Sequence, residues 1–432
     1  MIGLDERLTP TRTPLVPARV RALAQTLRAG ATNLRALPIA ARIAAIDRLA
    51  IAWLAADSPW RTRARAELAM STGYPTPMVD TALEHLWSAL RAADLEAVAA
   101  SELGEENPRR LPGLALHVLA GNVPGVGVFG ILAALLAGVP SLVKPAAREP
   151  FLPALLVESI AVVAPELRSA VAVAPWRGGS EALDAAAFGA VDVVLAYGRD
   201  ETLARIAARK PARLLRYGDR TSVALVARTA LGSRTARALA YQTALYDQQG
   251  CLSPRVVFVE ETDRRELELF AALVAAELEV LEHELPRVAP SLGERASVWR
   301  WLERQRWRAQ EGVDVTVHGG RGGAGSVVCD RTAEWSVGPS FRHLVFVPIT
   351  TLAAAIDPLR RLAGTLEAVG YAGPVERIAE ASGVAAELGA PRFCPLERLQ
   401  APPFAWRQSG HRRLASFLTE DGVVSSAALP FA

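Results

Sequence analysis

Cysteine is scarce in this 432-residue chain, and its three copies, Cys251, Cys329 and Cys394, are odd in number, far apart and without CxxC spacing. That pattern supports neither a disulfide framework nor a zinc site, so no metal is expected. Lysine occurs only at Lys144 and Lys210, and asparagine only at Asn33, Asn107 and Asn122; all but two of the 48 basic residues are arginine. Such a bias fits a GC-rich genome that replaces Lys and Asn wherever chemistry permits. Lys144 and Asn122 therefore call for an explanation, because lysine is a compact point charge that arginine does not reproduce. Excess charge of one sign is also missing, with a formal net charge of +3. No cluster of Lys and Arg interleaved with aromatics is present, which argues against nucleic acid as a partner. Met1–Pro17 carries Asp5, Glu6 and Arg7 and lacks the apolar run of a signal peptide, so a cytoplasmic location is expected.

Hydrophobic residues make up 51% of the chain, which suits large buried layers rather than disorder. Three- and four-residue apolar spacing predicts helices at Arg19–Leu27, Ile39–Ala56, Thr62–Met70 and Pro77–Ala99. Gly104–Pro112 reads as a polar boundary loop. Short β-rich runs follow at Ala115–Ala120, Ser141–Val143, Ala170–Ala174, Val191–Ala196 and Val223–Val226, separated by helical stretches. This alternation predicts a parallel sheet with helices on both faces. A second α/β pattern starts near Cys251, with strands at Arg255–Glu260, Ser326–Cys329 and Leu344–Val347 and helices at Arg264–Glu282 and Ala296–Arg308. His318–Gly325 reads as a surface loop. The uncharged stretch from Arg110 to Lys144 is long enough to span a bilayer. Gly121, Pro124, Gly138 and Pro140 cut it into strand, helix and strand, so no membrane span is expected.

Four segments carry candidate chemistry. In Asp247-Gln248-Gln249-Gly250-Cys251-Leu252-Ser253-Pro254, a glycine turn leaves a thiol at the edge of a strand, within reach of backbone N–H groups. Such donors and a nearby cation favour the thiolate, the reactive species; an inert core cysteine is the plain alternative. His117–Pro124 runs a strand into Gly121-Asn122-Val123-Pro124, presenting an amide where α/β ligand sites form. That amide either donates to an oxyanion or only shapes the turn. In Leu142-Val143-Lys144-Pro145, Lys144 closes a buried strand and faces either a ribose or phosphate, or solvent. Tyr197-Gly198-Arg199-Asp200 is a strand, turn and helix start suited to a pyrophosphate, although no G-x-G-x-x-G fingerprint is present.

In this order the segments resemble the aldehyde dehydrogenase superfamily, and more closely its acyl-CoA reductase branch, the LuxC type that makes long-chain aldehydes. The resemblance runs from about Leu114 to Leu418, with Pro391-Arg392-Phe393-Cys394-Pro395 and Trp406 adding to it. It implies an α/β fold with a Rossmann-like parallel-sheet cofactor domain and an α/β catalytic domain. The expected divisions are a helical region over 1–112, a nucleotide-binding domain over 113–245, a catalytic domain over 246–400 and a C-terminal segment over 401–432 that packs back or oligomerises. By the same resemblance Cys251 is the nucleophile, Asn122 the oxyanion donor, Lys144 the ribose-binding lysine, and Gly198 lies in the turn beside the cofactor. Arg216 stands where oxidising relatives carry the glutamate that activates water. Thioester exchange with a thiol such as coenzyme A is then favoured over hydrolysis. Ala147 and Arg148 replace a carboxylate against the ribose hydroxyls, which favours the 2′-phosphate of NADPH. Trp406-Arg407-Gln408-Ser409-Gly410-His411 departs from the His-Asp-Gly segment of LuxC-type proteins. The expected activity is NADPH-dependent reduction of an acyl-CoA or acyl-carrier thioester to an aldehyde, in a homo-oligomer and compatible with an acyl-transferring partner enzyme. NAD(P)-dependent aldehyde oxidation and a non-reducing acyl-carrier subunit are the alternatives.

Overall fold

The computed structural model describes residues 15–103, 111–261, 263–320 and 324–418, and it divides into two compact units. The first holds the described residues of Met1–Thr72, Val79–Gly218 and Pro403–Ser425; the second holds those of Gly73–Met78 and Asp219–Pro402. Most of the expected boundary loop at Gly104–Pro112, and part of the expected loop at His318–Gly325, lie outside the described residues.

The chain opens with α1 (Pro17–Ala36), α2 (Ile39–Leu54), α3 (Pro59–Thr72), α4 (Thr76–Ser88) and α5 (Ala92–Leu103). α1 runs on well past Leu27 because Gly30 is not a breaker. A Cβ there would sit 2.5 Å from the Ser169 carbonyl oxygen, so the glycine serves close backbone approach. The single helix expected over Pro77–Ala99 is two, α4 and α5. Asp47 on α2 accepts the Ala92 N–H at 3.0 Å and pairs with Arg91 at 2.6 Å, so a side chain from another helix caps the start of α5. Trp53 and Trp87 stack with ring centroids 4.7 Å apart, and the Trp53 indole donates to Ser159.

The sheet of this unit follows: β1 (Ala115–Val118), α6 (Val128–Ala137), β2 (Ser141–Lys144), α7 (Phe151–Val163), β3 (Val171–Val173), α8 (Glu181–Phe188), β4 (Val193–Tyr197), α9 (Asp200–Ala207) and β5 (Leu214–Tyr217). All pairings are parallel, in the order β3-β2-β1-β4-β5. The chain winds outward from β1 in one direction through β2 and β3, then in the other through β4 and β5. The switch point lies between β1 and β4, and in open α/β sheets ligands bind outside the carboxyl ends of the strands there. α6 is buried along its whole length between left-handed glycines, Gly127 at φ 89° and Gly138 at φ 87°. Such a helix is a core element, and no described helix is long and apolar enough to cross a membrane.

The second unit contains β6 (Thr221–Val226), α10 (Ser233–Ala244), β7 (Pro254–Glu260), α11 (Arg264–Glu284), α12 (Leu292–Gln310), β8 (Val315–Gly319), β9 (Ser326–Asp330), β10 (His343–Ile349), α13 (Ile356–Leu359), β11 (Leu366–Ala372), α14 (Ile378–Glu387) and β12 (Phe393–Pro395). Its seven strands run in the order β12-β11-β6-β7-β10-β9-β8, parallel except for the antiparallel β8–β9 pair. The run at Val223–Val226, expected in the first sheet, belongs here as β6, and β5 takes the outer place in the first sheet instead. The core of this sheet includes Val223, Leu225, Phe258, Val345, Val369 and Val384.

Candidate active site

Cys251 lies in a turn between α10 and β7, closed by the Ser253 N–H donating to the Gly250 carbonyl at 3.2 Å. The sharp reversal was expected at Gly250, but Gly250 is not among the residues of positive φ. Three residues before it take that role: Tyr246 at φ 55°, Asp247 at 50° and Gln248 at 57°. Each such non-glycine residue costs roughly 1–2 kcal/mol, so the run persists only because its surroundings fix it. The Asp247 carboxylate, fully buried, pairs with Arg342 at 2.9 Å, also fully buried, and accepts the Val288 N–H at 3.0 Å. The Asp247 carbonyl accepts the Phe341 N–H at 2.9 Å. The Gln248 amide donates to the Pro254 and His343 carbonyls and accepts the His343 N–H at 2.7 Å. The first half of the cysteine segment is thus a brace for the turn that carries the thiol.

Cys251 itself is only partly buried and forms no disulfide. Its carbonyl accepts the Ser222 hydroxyl at 2.7 Å, tying the turn to the start of β6. Burial pushes the thiol up, and the Glu367 carboxylate adds to this; the N–H groups of Cys251 and Leu252 and the Arg220 guanidinium pull it down. The upward effects win, so the resting group is the thiol and not the thiolate that the sequence alone suggested. Those two N–H groups remain directed at the sulfur and favour negative charge there once it forms.

Glu367 was not anticipated. It is fully buried on β11, at a register shift where Leu366 pairs with Thr221 and Ala368 with Ser222, so it is the bulged residue beside the serine that holds Cys251. Bulges of this kind re-aim a side chain, often next to a reactive site. Arg220 approaches its carboxylate to 4.0 Å.

Within the first unit, the other sequence candidates gather at the carboxyl edge of the sheet. Lys144 ends β2, and its carbonyl accepts the Leu119 N–H at 3.0 Å, which links the strand to the loop carrying Asn122. A Cβ on Gly121 would stand 3.1 Å from that of Ala146 and 3.3 Å from that of Arg148, so a side chain at 121 would part the two loops. Asn122, partly buried in its bend, is thereby held beside the Ala146–Glu149 turn. Arg148 is exposed and donates to the Thr72 carbonyl at 2.8 Å. Gly198 follows β4 at φ 156°, next to the start of α9. These residues lie at the ends of β1, β2 and β4 or in the loops that follow them, around the switch point.

Two further residues at this edge were missed. Trp176 lies under the Lys144 ammonium, 5.5 Å from ring centroid to Nζ, and its indole N–H donates to Asp184 at 2.7 Å. Burial lowers the Lys144 ammonium from its ordinary value, partly countered by Asp184. Beside it, a Cβ on Gly178 would reach within 4.0 Å of Nζ. A lysine seated on an aromatic plate and flanked by glycine suits a ribose or phosphate. Glu149, buried behind the Asn122 loop, is pushed up to about 7 by burial while accepting the Leu152 N–H at 2.8 Å.

Elsewhere, Glu268, His318 and Cys329 bring three potential metal-ligand atoms within 4.8 Å of one another. The Glu268 carboxylate there already accepts from Thr316, His318 and Arg331. It is neutralised by Arg331 at 2.8 Å, so the cluster works as a hydrogen-bonded tie between α11 and the β8–β9 hairpin.

Comparison with known proteins adds three findings. The family described as acyl-CoA reductase (LuxC) matches residues 34–419. Curated relatives include long-chain acyl-protein thioester reductase 2 of Photobacterium leiognathi, 28% identical over 200 residues, which are 45% of this chain and 41% of that protein. The long-chain acyl-protein thioester reductase of Aliivibrio fischeri is 28% identical over 190 residues, 43% of this chain and 39% of that one. The matched part therefore spans only about two-fifths of these relatives' length. Among solved structures, a putative aldehyde dehydrogenase PutA from Anabaena variabilis superposes with a TM-score of 0.69 at 18% identity, covering 94% of this chain and 92% of that one. Aldehyde dehydrogenase 21 from Physcomitrella patens gives 0.70 at 13% identity, with 94% and 90% covered. The fold is that of the aldehyde dehydrogenases.

Proposed function

The chain belongs to the acyl-CoA reductase (LuxC) family, and from that premise we propose that it reduces a fatty acyl thioester, carried on coenzyme A or on a protein, to the aldehyde at the expense of NADPH. The observation that carries the reading is the braced turn at Cys251, with two main-chain N–H groups directed at a thiol that keeps partial access. Cys251 loses its proton and attacks the thioester carbonyl. The C–S bond to the donor breaks, the donor leaves as a thiol, and an acyl-cysteine remains. Asn122 is assigned as a donor to the oxyanion of this step, by the family resemblance.

Lys144 with its Trp176 plate, Gly198 and the switch point between β1 and β4 fit a dinucleotide. Arg148, with Ala147 beside it, supports a 2′-phosphate and hence NADPH. When bound, the nicotinamide supplies the hydride that reduces the acyl-cysteine. Cys251 is then the leaving group as the aldehyde forms, and it regains its proton from solvent. Arg216, where a water-activating glutamate would stand, has an exposed guanidinium and offers no base. This supports aldehyde rather than acid as the product.

The test is NADPH oxidation with acyl-CoAs and with acyl-protein thioesters, wild type against Cys251→Ala. Aldehyde formation that depends on the thioester and on Cys251 is the expected result, with dinucleotide binding retained in the variant. Full activity in Cys251→Ala overturns the mechanism. Absence of dinucleotide binding would favour a subunit that only carries acyl groups.

A further inference from the structure

α12 presents three large apolar residues outward. Trp299 is 64% exposed, Trp307 63% and Leu292 77%, whereas Gln305 on the opposite side is buried and Leu302 is buried at one flank. The helix is held firmly by that opposite side. Trp301 packs against Gly338, where an added Cβ would meet its ring at 3.0 Å, and Arg308 pairs with Asp330 at 2.7 Å. A capping box between Ser291 and Glu294 fixes the first turn. The outward tryptophans are therefore presented by a rigid element and do not belong to a frayed end.

At 100° per residue, Leu292, Ala296, Trp299 and Trp307 fall within about 80° of one another. Glu303 lies among them, engaged with Arg306 at 2.5 Å. Arg295 and Arg306 line one margin of this stripe; Arg300 and Arg304 line the other. Arg295, Arg300 and Arg304 are exposed and form no ion pair among the described residues. The helix carries five arginines against two glutamates. A short apolar stripe centred on tryptophan and edged on both sides by cations matches the boundary between lipid headgroups and acyl chains. Tryptophan favours that depth, and the arginines face phosphate. An acidic protein surface would complement the arginines but would leave both indoles in water.

We propose that α12 docks the protein, in the plane of the interface, on an anionic phospholipid surface. The helix shares no residue with the Cys251 turn, so this docking and the reductase activity stand or fall separately. The test is flotation of the full chain with vesicles of mixed phosphatidylglycerol and phosphatidylcholine, against vesicles of phosphatidylcholine alone. Wild type is expected to float with the anionic vesicles only, and to be released as salt rises. Trp299→Ala with Trp307→Ala should abolish flotation. Changing Arg295, Arg300 and Arg304 to Gln should lower partitioning on the order of 10²-fold. These positions are exposed, and an unchanged thermal unfolding midpoint checks that the variants fold. Failure of wild type to float, or flotation of the double tryptophan variant like wild type, overturns the proposal. So does a wild-type dimer that the double variant dissociates in the absence of flotation, since the stripe would then cover a second copy of the chain.

Discussion

Arg342→Met tests how far the turn before Cys251 depends on its buried ion pair. The substitution keeps most of the side-chain volume and removes the cation 2.9 Å from the Asp247 carboxylate, where both groups are fully sealed from solvent. Breaking one partner of such a pair costs about 3–5 kcal/mol, because the remaining charge is left buried without compensation. The loss falls on Tyr246, Asp247 and Gln248, whose left-handed backbone already opposes the fold by roughly 1–2 kcal/mol each. Local opening of the turn should therefore become easier on the order of 10²–10³-fold, each 1.4 kcal/mol being a factor of ten. Amide hydrogen exchange reads this directly. The Val288 and Phe341 N–H groups donate to Asp247 and the His343 N–H to Gln248, so their protection should fall together. Burial already pushes the Asp247 carboxyl up while Arg342 pulls it back. Without the arginine it rises further. A carboxyl raised in the folded state gives stability that is present at low pH and lost as pH rises, so the deficit should be larger at pH 8 than at pH 5. Adding Asp247→Asn should restore about 1–3 kcal/mol. Unchanged exchange at these three amides, or a double variant no better than the single, would refute the bracing role.

The remaining predictions concern charge and proton placement. Glu367→Gln removes the anion that helps to keep Cys251 protonated, so the pH midpoint for alkylation by iodoacetamide should fall; an unmoved midpoint would separate Glu367 from the thiol. Asn122→Ala should lower kcat on the order of 10²-fold with little change in dinucleotide binding, and normal turnover would return Asn122 to a turn-shaping role. Glu149, raised from 4.5 to about 7, holds a proton in the folded state that the unfolded chain gives up. Stability should therefore fall as pH climbs between those values, by up to about 3 kcal/mol. Glu149→Gln keeps the acceptor for Leu152 and should flatten that slope in urea unfolding curves at pH 5 and 8.

Two of the strands that sequence reading missed, β5 and β11, share a physical feature that the clearest strands lack. Buried runs rich in valine, such as Val193–Tyr197 and Val256–Val259, declare themselves through composition alone. β5 and β11 carry Arg216 and Glu367 inside them, and a charge within a four- to seven-residue run removes the apolar signal that marks a strand. The missed residue Glu367 is in this sense the reason its own strand was missed. Lys144 and Asn122 stood out as candidates because a sequence so poor in lysine and asparagine makes each survivor conspicuous. Trp176 was not, since what makes it a plate for Lys144 is the turn after β3 and the Asp184 carboxylate on α8. The cysteine segment was recognised as a motif, yet its workings were assigned to the wrong residue. Gly250 drew the turn because glycine tolerates positive φ without help. The chain instead uses Tyr246, Asp247 and Gln248, which tolerate it only when braced, and the braces are Arg342 and His343, 95 residues further on. Local sequence records which residues can make a turn unaided. It does not record a turn made by residues that need distant partners, and Cys251 is held by a turn of that second kind.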